Sequence, residues 1–421
     1  MPQNNSQASL FTIEFKQLDT LLNASRQLWQ NRSFECKQLP WADSFPALAH
    51  YVWSIPDADI DAIDACQVRL NQSLLPFLQQ DLSTQGLTWN MELFIANLSP
   101  VTSSVQAKAI MPAPLIDSDD MAHFSAHIKG RKWQQITAFV AQLPDSTLPV
   151  LEWCAGKGHL GRLIAKAKQR SVVSLEWQQS LCDAGQRFAD QWQLPQRFVC
   201  ADAFAGQNGQ LQAKQLAVAL HACGDLHVTL LRHASDKGTK QVVISPCCYH
   251  LIQAKHYQPL SAEAQMSPLM LSRADLQLPL QQSTIASTKH NQYRLQEMAW
   301  RLGFDSLQRD MRGEDQYLPI PSIKQSQLNG AFDSFCLWAA GTKNVPLASD
   351  VDWAHYENLG YERQRLTRRI DLVAHLFRAI LERWLLLDRV CFMQEAGYQV
   401  ELSEFCANSV TPRNALIRAF K

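Results

Sequence analysis

Between residues 150 and 245, short apolar runs alternate with stretches of helical period. Residues 149–153, 171–176, 197–201, 216–220 and 241–245 read as strands, and 160–169, 179–193 and 228–235 as helices. Strands apolar on both faces, each followed by a helix, predict a parallel sheet covered on both sides. Right-handed connections leave a doubly wound open sheet. Further along, 365–396 reads as one long helix stopped by Gly397, followed by strands at 398–405 and 415–420 around a turn at Pro412. Two closing strands on a short connection run antiparallel. The expected fold class is therefore α/β, doubly wound, with a mostly parallel seven-stranded sheet whose last strand is antiparallel.

The flanks have another character. Residues 1–118 show helical spacing (Leu18, Leu21, Leu22, Leu28, Trp29) interrupted by Pro40, Pro46, Pro56, Pro76 and Pro100. Pro112, Pro114 and Asp117-Ser118-Asp119-Asp120 mark a boundary, and a helical stretch over 122–143 leads into the first strand. Residues 256–361 read as an insertion after the fifth strand, with a helix-like stretch at 289–302 and a loop around Pro319 and Pro321. Four segments follow: a helical region 1–118, a core 119–255, an insertion 256–361 suited to substrate recognition, and core closure over 362–421.

Composition narrows the class. The chain has 421 residues, 46% hydrophobic, and 39 basic against 39 acidic side chains. Zero net charge excludes a polycation gripping nucleic acid with its whole surface, but not a local basic groove. Eleven cysteines, an odd number, fit reduced thiols, and the polar start Met-Pro-Gln-Asn-Asn-Ser-Gln lacks a leader's layout. The most apolar stretch, 374–393, carries Arg378, Glu382, Arg383, Asp388 and Arg389 and reads as an amphipathic helix, not a membrane span. The expectation is a soluble cytoplasmic protein of undetermined oligomeric state, with no membrane partner.

The central motif is Val150-Leu151-Glu152-Trp153-Cys154-Ala155-Gly156-Lys157-Gly158-His159-Leu160-Gly161. Glycines between a strand and a helix let the backbone bend and approach a ligand. Glu152 ends the first strand, Glu176 ends the second and Asp202 follows the third, so all three belong to one crevice at the strand ends. Glu152 suits a positively charged group, Glu176 two ribose hydroxyls, and Asp202 an adenine amino group between the walls Trp177 and Phe204. Cys154 and Ala203 complete the expected cofactor-binding set. An acid at the first position favours a sulfonium-and-ammonium ligand over a pyrophosphate, hence S-adenosyl-L-methionine over NAD.

Over residues 120–255 and 362–421 the chain resembles the class I S-adenosylmethionine-dependent methyltransferases. His221-Ala222-Cys223-Gly224-Asp225 and Ser245-Pro246-Cys247-Cys248-Tyr249-His250 are similar to one subfamily. Its relatives include the tRNA acceptor-stem 2′-O-methyltransferases and the methyltransferase-like glutathione S-transferase C-terminal domain-containing proteins. The resemblance implies a Rossmann-like methyltransferase sheet, the cofactor S-adenosyl-L-methionine, and RNA, tRNA foremost, as acceptor and partner. A protein or small-molecule acceptor is the alternative. An NAD(P)-dependent oxidoreductase and a non-catalytic module on the same fold are rivals from other classes.

Residues after the fourth and fifth strands lie over the reactive methyl in such a fold. His221 is the candidate base or acceptor-orienting group, and also a candidate cofactor contact. Asp225 either orients His221 or caps the following helix. Cys247 and Cys248, with Cys223, admit three readings: apolar filler, pocket lining with a catalytic part, or a metal site with His250. Adjacent cysteines are poorer chelators than Cys-x2-Cys pairs, so no metal is assigned. Lys289, His290, Arg294, Arg301, Arg309 and Arg312, interleaved with Tyr293 and Trp300, suit either a phosphate backbone with stacked bases or a solvated helix face. His127, Lys129 and Lys132 could meet a cofactor carboxylate or lie on an exposed helix.

Overall fold

A computed structural model describes residues 9–97, 115–205, 209–281, 288–323 and 328–421, with the side chains of 118, 119 and 288–290 undescribed. The boundary residues Pro112 and Pro114, Pro100, and the side chains of Lys289 and His290 therefore lie outside the described residues.

Seven strands form one sheet: β1 (Val150–Trp153), β2 (Val172–Glu176), β3 (Gln196–Cys200), β4 (Leu216–Leu220), β5 (Gln241–Ser245), β6 (Gln399–Glu404) and β7 (Ala415–Phe420). The order is β3-β2-β1-β4-β5-β7-β6. β1 to β5 are parallel, and β7 runs antiparallel to both β5 and β6. This is the expected fold class, with every strand within about two residues of its expected place.

The two-residue period explains why β1, β2, β4 and β5 carry apolar residues on both faces. Val150, Val172, Leu216, Val218 and Val243 pack with Leu160, Leu163 and Ile164 of helix His159–Lys168 and Ile136, Phe139 and Val140 of helix Gly130–Ala141. Their neighbours Leu151, Leu175, Ala217, Val242 and Ile244 pack with Leu230, Leu231 and Ala234 of helix Asp225–Lys237, and with Leu386, Val390 and Met393.

The chain divides into two units: residues 1–20, 96–280 and 379–421 form the sheet unit, and 21–95 with 281–378 form a helical unit. These boundaries do not coincide with the four segments read from sequence. Within the helical unit, Trp300, Phe304, Phe332, Phe335 and Tyr356 share one core. It joins helices Thr288–Arg312, Phe332–Lys343 and Trp353–Ala374.

Three local expectations are corrected. The stretch 122–143 is two helices, Ser118–Ser125 and Gly130–Ala141, with His127 left-handed between them. The long helix at 365–396 starts earlier and is broken: Trp353–Ala374, a 3-10 turn at His375–Phe377, then Arg378–Glu395. Residues 374–393 are almost wholly buried instead of amphipathic, because their charges find partners within the fold. Arg383 donates to Glu14 at 2.7 and 2.8 Å, and Asp388 accepts the Ser261 amide at 2.7 Å. No helix among the described residues is long and apolar enough to cross a membrane.

Candidate active site

The crevice is built at the carboxyl ends of β1, β2, β3, β4 and β5. Gly156 and Gly158 both take left-handed backbone, at φ +59° and +66°, which bends β1 into helix His159–Lys168. A Cβ on Gly156 would meet nothing within 4 Å, so the turn presents open backbone. Glu176 fixes that turn: its Oε2 accepts the Gly156 amide at 2.9 Å and its Oε1 the Gln178 amide at 3.1 Å. Asp202 is exposed and accepts the Phe204 amide at 2.9 Å, with Ala203 buried behind it. Trp177 is 69% exposed and Phe204 40%, as walls awaiting a planar ring would be.

One thiol reports the convergence. Cys154, left-handed at φ +58°, has its pKa pushed up to about 12 by burial and by Glu176, Cys223, Asp202 and Glu152. The expected acids and the loop after β4 thus surround the glycine turn.

Glu152 departs from its expected role. It is 3% exposed and lies beneath the turn, where its Oε2 accepts the Ser174 hydroxyl at 2.6 Å. Gln196 Nε2 donates to Ser174 Oγ at 2.8 Å and to Gly158 O at 3.2 Å. Burial pushes the Glu152 carboxyl up to about 7, against the pull of Ser174 and Arg162. It supports the glycine turn from below instead of facing a ligand's charge.

His221 stands after β4 with φ +70°, its Nε2 2.9 Å from Gln135 Oε1. Burial and Lys132 lower its pKa, with Arg413 adding to them and Cys248 opposing. Asp225 does not orient it. Gly224 takes the cap position, Asp225 begins the helix, and its Oδ2 accepts the Gln253 amide at 2.7 Å. Asp225 therefore ties the loop after β4 to the loop after β5.

Cys223, Cys247 and Cys248 gather there, their sulfurs all within 4.8 Å of one another. Thiol hydrogen bonds from Cys223 and Cys247 pull the Cys248 thiol well below its ordinary value, aided by Arg413 and His250. Of the basic residues before β1, Lys132 bears on Glu152, His159 and His221. Neither reading of helix Thr288–Arg312 describes its arginines fully: Arg294, Arg301, Arg309 and Arg312 sit in ion pairs with Asp61, Glu297, Asp305 and Glu314, and Arg301 and Arg309 are largely buried in theirs. Trp300 is buried and bonded to Glu357, so it is not a stacking platform.

Sequence reasoning missed the scaffold behind these loops. Arg389 Nε donates to His227 Nε2 at 2.8 Å, and His227 Nδ1 bonds Ala222 O at 3.0 Å. Arg389 also donates to Tyr257 Oη at 3.1 Å, whose hydroxyl donates to Asp388 at 2.5 Å. Tyr249 Oη donates to Glu382 at 3.1 Å. Apart from His227 and Ala222, these partners are more than 120 residues apart, so no local pattern announces them.

Residues 129–255 match a family model described as a methyltransferase domain. A glutathione S-transferase C-terminal domain-containing protein from Xenopus laevis is 31% identical over 130 residues, spanning 29% of this chain and 20% of that protein. Among solved structures, a TehB-like SAM-dependent methyltransferase from Corynebacterium glutamicum overlaps 26% of this chain and 60% of its own, at 17% identity and a TM-score of 0.22. The citrinin polyketide synthase CMeT domain overlaps 99% and 90%, at 13% identity and a TM-score of 0.28. The open glycine turn, the Glu176 carboxylate and the Trp177 and Phe204 walls fit an adenosyl group. Residues 129–255 are thus similar to a methyltransferase domain, and S-adenosyl-L-methionine is the cofactor that their crevice fits.

Proposed function

We propose that this chain is an S-adenosyl-L-methionine-dependent methyltransferase acting on RNA in the cytoplasm, with tRNA the foremost acceptor. The observation that carries the acceptor class is the positive charge near His221: Lys132 of helix Gly130–Ala141 and Arg413 just before β7 both lower its pKa. A polyanionic acceptor would be drawn to that end of the crevice. The resemblance of the loops after β4 and β5 to the tRNA 2′-O-methyltransferases points the same way.

When bound, the cofactor supplies a methyl group on a cationic sulfur, which keeps the electron pair when the methyl leaves. Glu176 and Asp202 are placed to hold the ribose and the adenine amino group. The acceptor O–H or N–H must lose its proton as the new bond to carbon forms. With Gln135 Oε1 against Nε2, His221 carries its proton on Nε2 and leaves Nδ1 to take the acceptor's proton. Its lowered pKa keeps that nitrogen neutral at pH 7.

Incubation with radiolabelled S-adenosylmethionine and fractionated extract tests the reading. Label should enter nuclease-sensitive material and fall at least about 100-fold with His221→Ala. Label in protein or small metabolites overturns the RNA assignment. Absence of both transfer and S-adenosylhomocysteine binding overturns the enzyme.

A further inference from the structure

The loops after β4 and β5 are stitched together along their backbones. The Gly224 amide donates to Cys247 O at 3.1 Å, the Asp225 amide to Leu251 O at 3.0 Å, and the Gln253 amide to Asp225 Oδ2 at 2.7 Å. Gly224 makes the approach possible: a Cβ there would lie 2.6 Å from the Leu251 carbonyl carbon. The stitching sets Cys223 Sγ 3.6 Å from Cys247 Sγ.

Adjacent side chains in extended backbone point to opposite faces, which is why Cys247-Cys248 is a poor chelating pair in a regular strand. Here Cys248 is left-handed, at φ +50°. That turn brings its sulfur to the side of the other two, and all three lie within 4.8 Å of one another. Zinc–thiolate bonds of about 2.3 Å at tetrahedral angles place sulfurs about 3.8 Å apart. Beside the cluster, His250 acts electrostatically on Cys248, and its Nδ1 is buried with no hydrogen-bond partner among the described residues.

We propose that Cys223, Cys247 and Cys248 hold one zinc ion through three thiolates; the His250 nitrogens lie outside their 4.8 Å cluster, and the ring would turn inward to become the fourth ligand. The ion would clamp the loops after β4 and β5 to each other, and would take the place of the thiol protons on binding. The proposal does not depend on the methyl-transfer reading.

The test uses the full chain, reduced and stripped with a chelator, titrated with zinc against a chromophoric competitor. One equivalent should be retained per chain, lost in Cys248→Ser and Cys223→Ser, and kept in the remote Cys66→Ser. His250→Ala should weaken binding about tenfold or more and shift the visible bands of the cobalt-substituted protein. Unchanged affinity and bands in His250→Ala remove that ligand from the site. If a cysteine variant loses its fold by circular dichroism, alkylation of the unaltered chain decides: zinc should protect Cys223, Cys247 and Cys248 while Cys66 and Cys200 react as before. No protection, or no bound equivalent, overturns the site.

Discussion

The Gly156 amide donates to Glu176 Oε2 at 2.9 Å, so the carboxylate we propose for the ribose also fixes the glycine turn. Removing the carboxylate therefore has two consequences with different readouts. Glu176→Ala should lower stability by about 1–3 kcal/mol, because two backbone amides lose a charged acceptor. It should also weaken S-adenosylhomocysteine binding well beyond what the stability loss explains. Glu176→Gln keeps a carbonyl acceptor and should recover most of the stability but little of the affinity. Calorimetry beside thermal melting separates the two; full affinity in Glu176→Gln would remove Glu176 from the binding set.

Gly161 is required by Glu152 and its partners. A Cβ on residue 161 would lie 2.6 Å from Gln196 Nε2 and 2.9 Å from Ser174 Oγ, both inside the buried network below the turn. Gly161→Ala should destabilise the chain by about 1–3 kcal/mol through overpacking, despite alanine's better helix propensity. Chemical denaturation measures it, and a neutral or stabilising result contradicts the packing described.

Strands and crevice were legible because they obey short-range rules. β1, β2, β4 and β5 feed alternate residues to two cores, so their apolar runs stand out; Glu176 ends one of them and Asp202 follows β3 by two residues. Glu152 was placed at the right strand end but given the wrong direction: only the register with Ser174 shows that it points beneath the helix. Asp225 looked like a cap because the sequence does not reveal that Gly224 takes that position at φ +56°. The charges between 378 and 395 read as a solvated face because their partners lie far along the chain, such as His227 for Arg389. The arginines of Thr288–Arg312 suggested nucleic acid until Asp61, Glu297, Asp305 and Glu314 were found paired with them.

Glu152 also makes stability depend on pH in an unusual direction. Its carboxyl is raised to about 7 in the fold, while an unfolded glutamate titrates near 4.3. Between those values the folded chain holds a proton that the unfolded chain has lost. This group's contribution therefore falls as pH rises from about 4.3 to 7, and is level above that. Glu152→Gln should flatten that slope, gaining on the wild type at pH 8 by up to about 3 kcal/mol relative to pH 4. Glu382 is raised to about 7 by burial as well, so the difference between variant and wild type is the quantity to measure. Parallel curves for the two would contradict a buried, proton-sharing Glu152.

Arg389 joins the helix behind the crevice to both acceptor-side loops through His227 and Tyr257. His227 is held neutral by burial and by the guanidinium, with Nδ1 carrying the proton toward Ala222 O. Arg389→Met would leave His227 Nε2, the Tyr257 hydroxyl and the Asp388 carboxylate without their balance. A loss of about 3–5 kcal/mol is expected in denaturation. Chain that remains folded should bind S-adenosylhomocysteine normally, since Glu176 and Asp202 lie on other strands, while turnover falls. Equal losses of binding and turnover would contradict a role confined to the acceptor loops.

His221 gives the most direct kinetic prediction. Burial and Lys132 hold its pKa below the usual imidazole value, so its proton-accepting form persists well into weakly acidic solution. Turnover limited by proton removal should have its acid limb at lower pH than an ordinary imidazole would give, one proton at a time. Lys132→Ala removes one of the two positive charges that depress the group. The acid limb should then move to higher pH, while the plateau rate changes little if Lys132 acts only through His221. Gln135→Leu removes the partner that places the proton on Nε2, and should lower the plateau without moving the limb as far. A limb that stays put in Lys132→Ala, or that survives in His221→Ala, assigns the titration to another group and removes His221 from the proton's path.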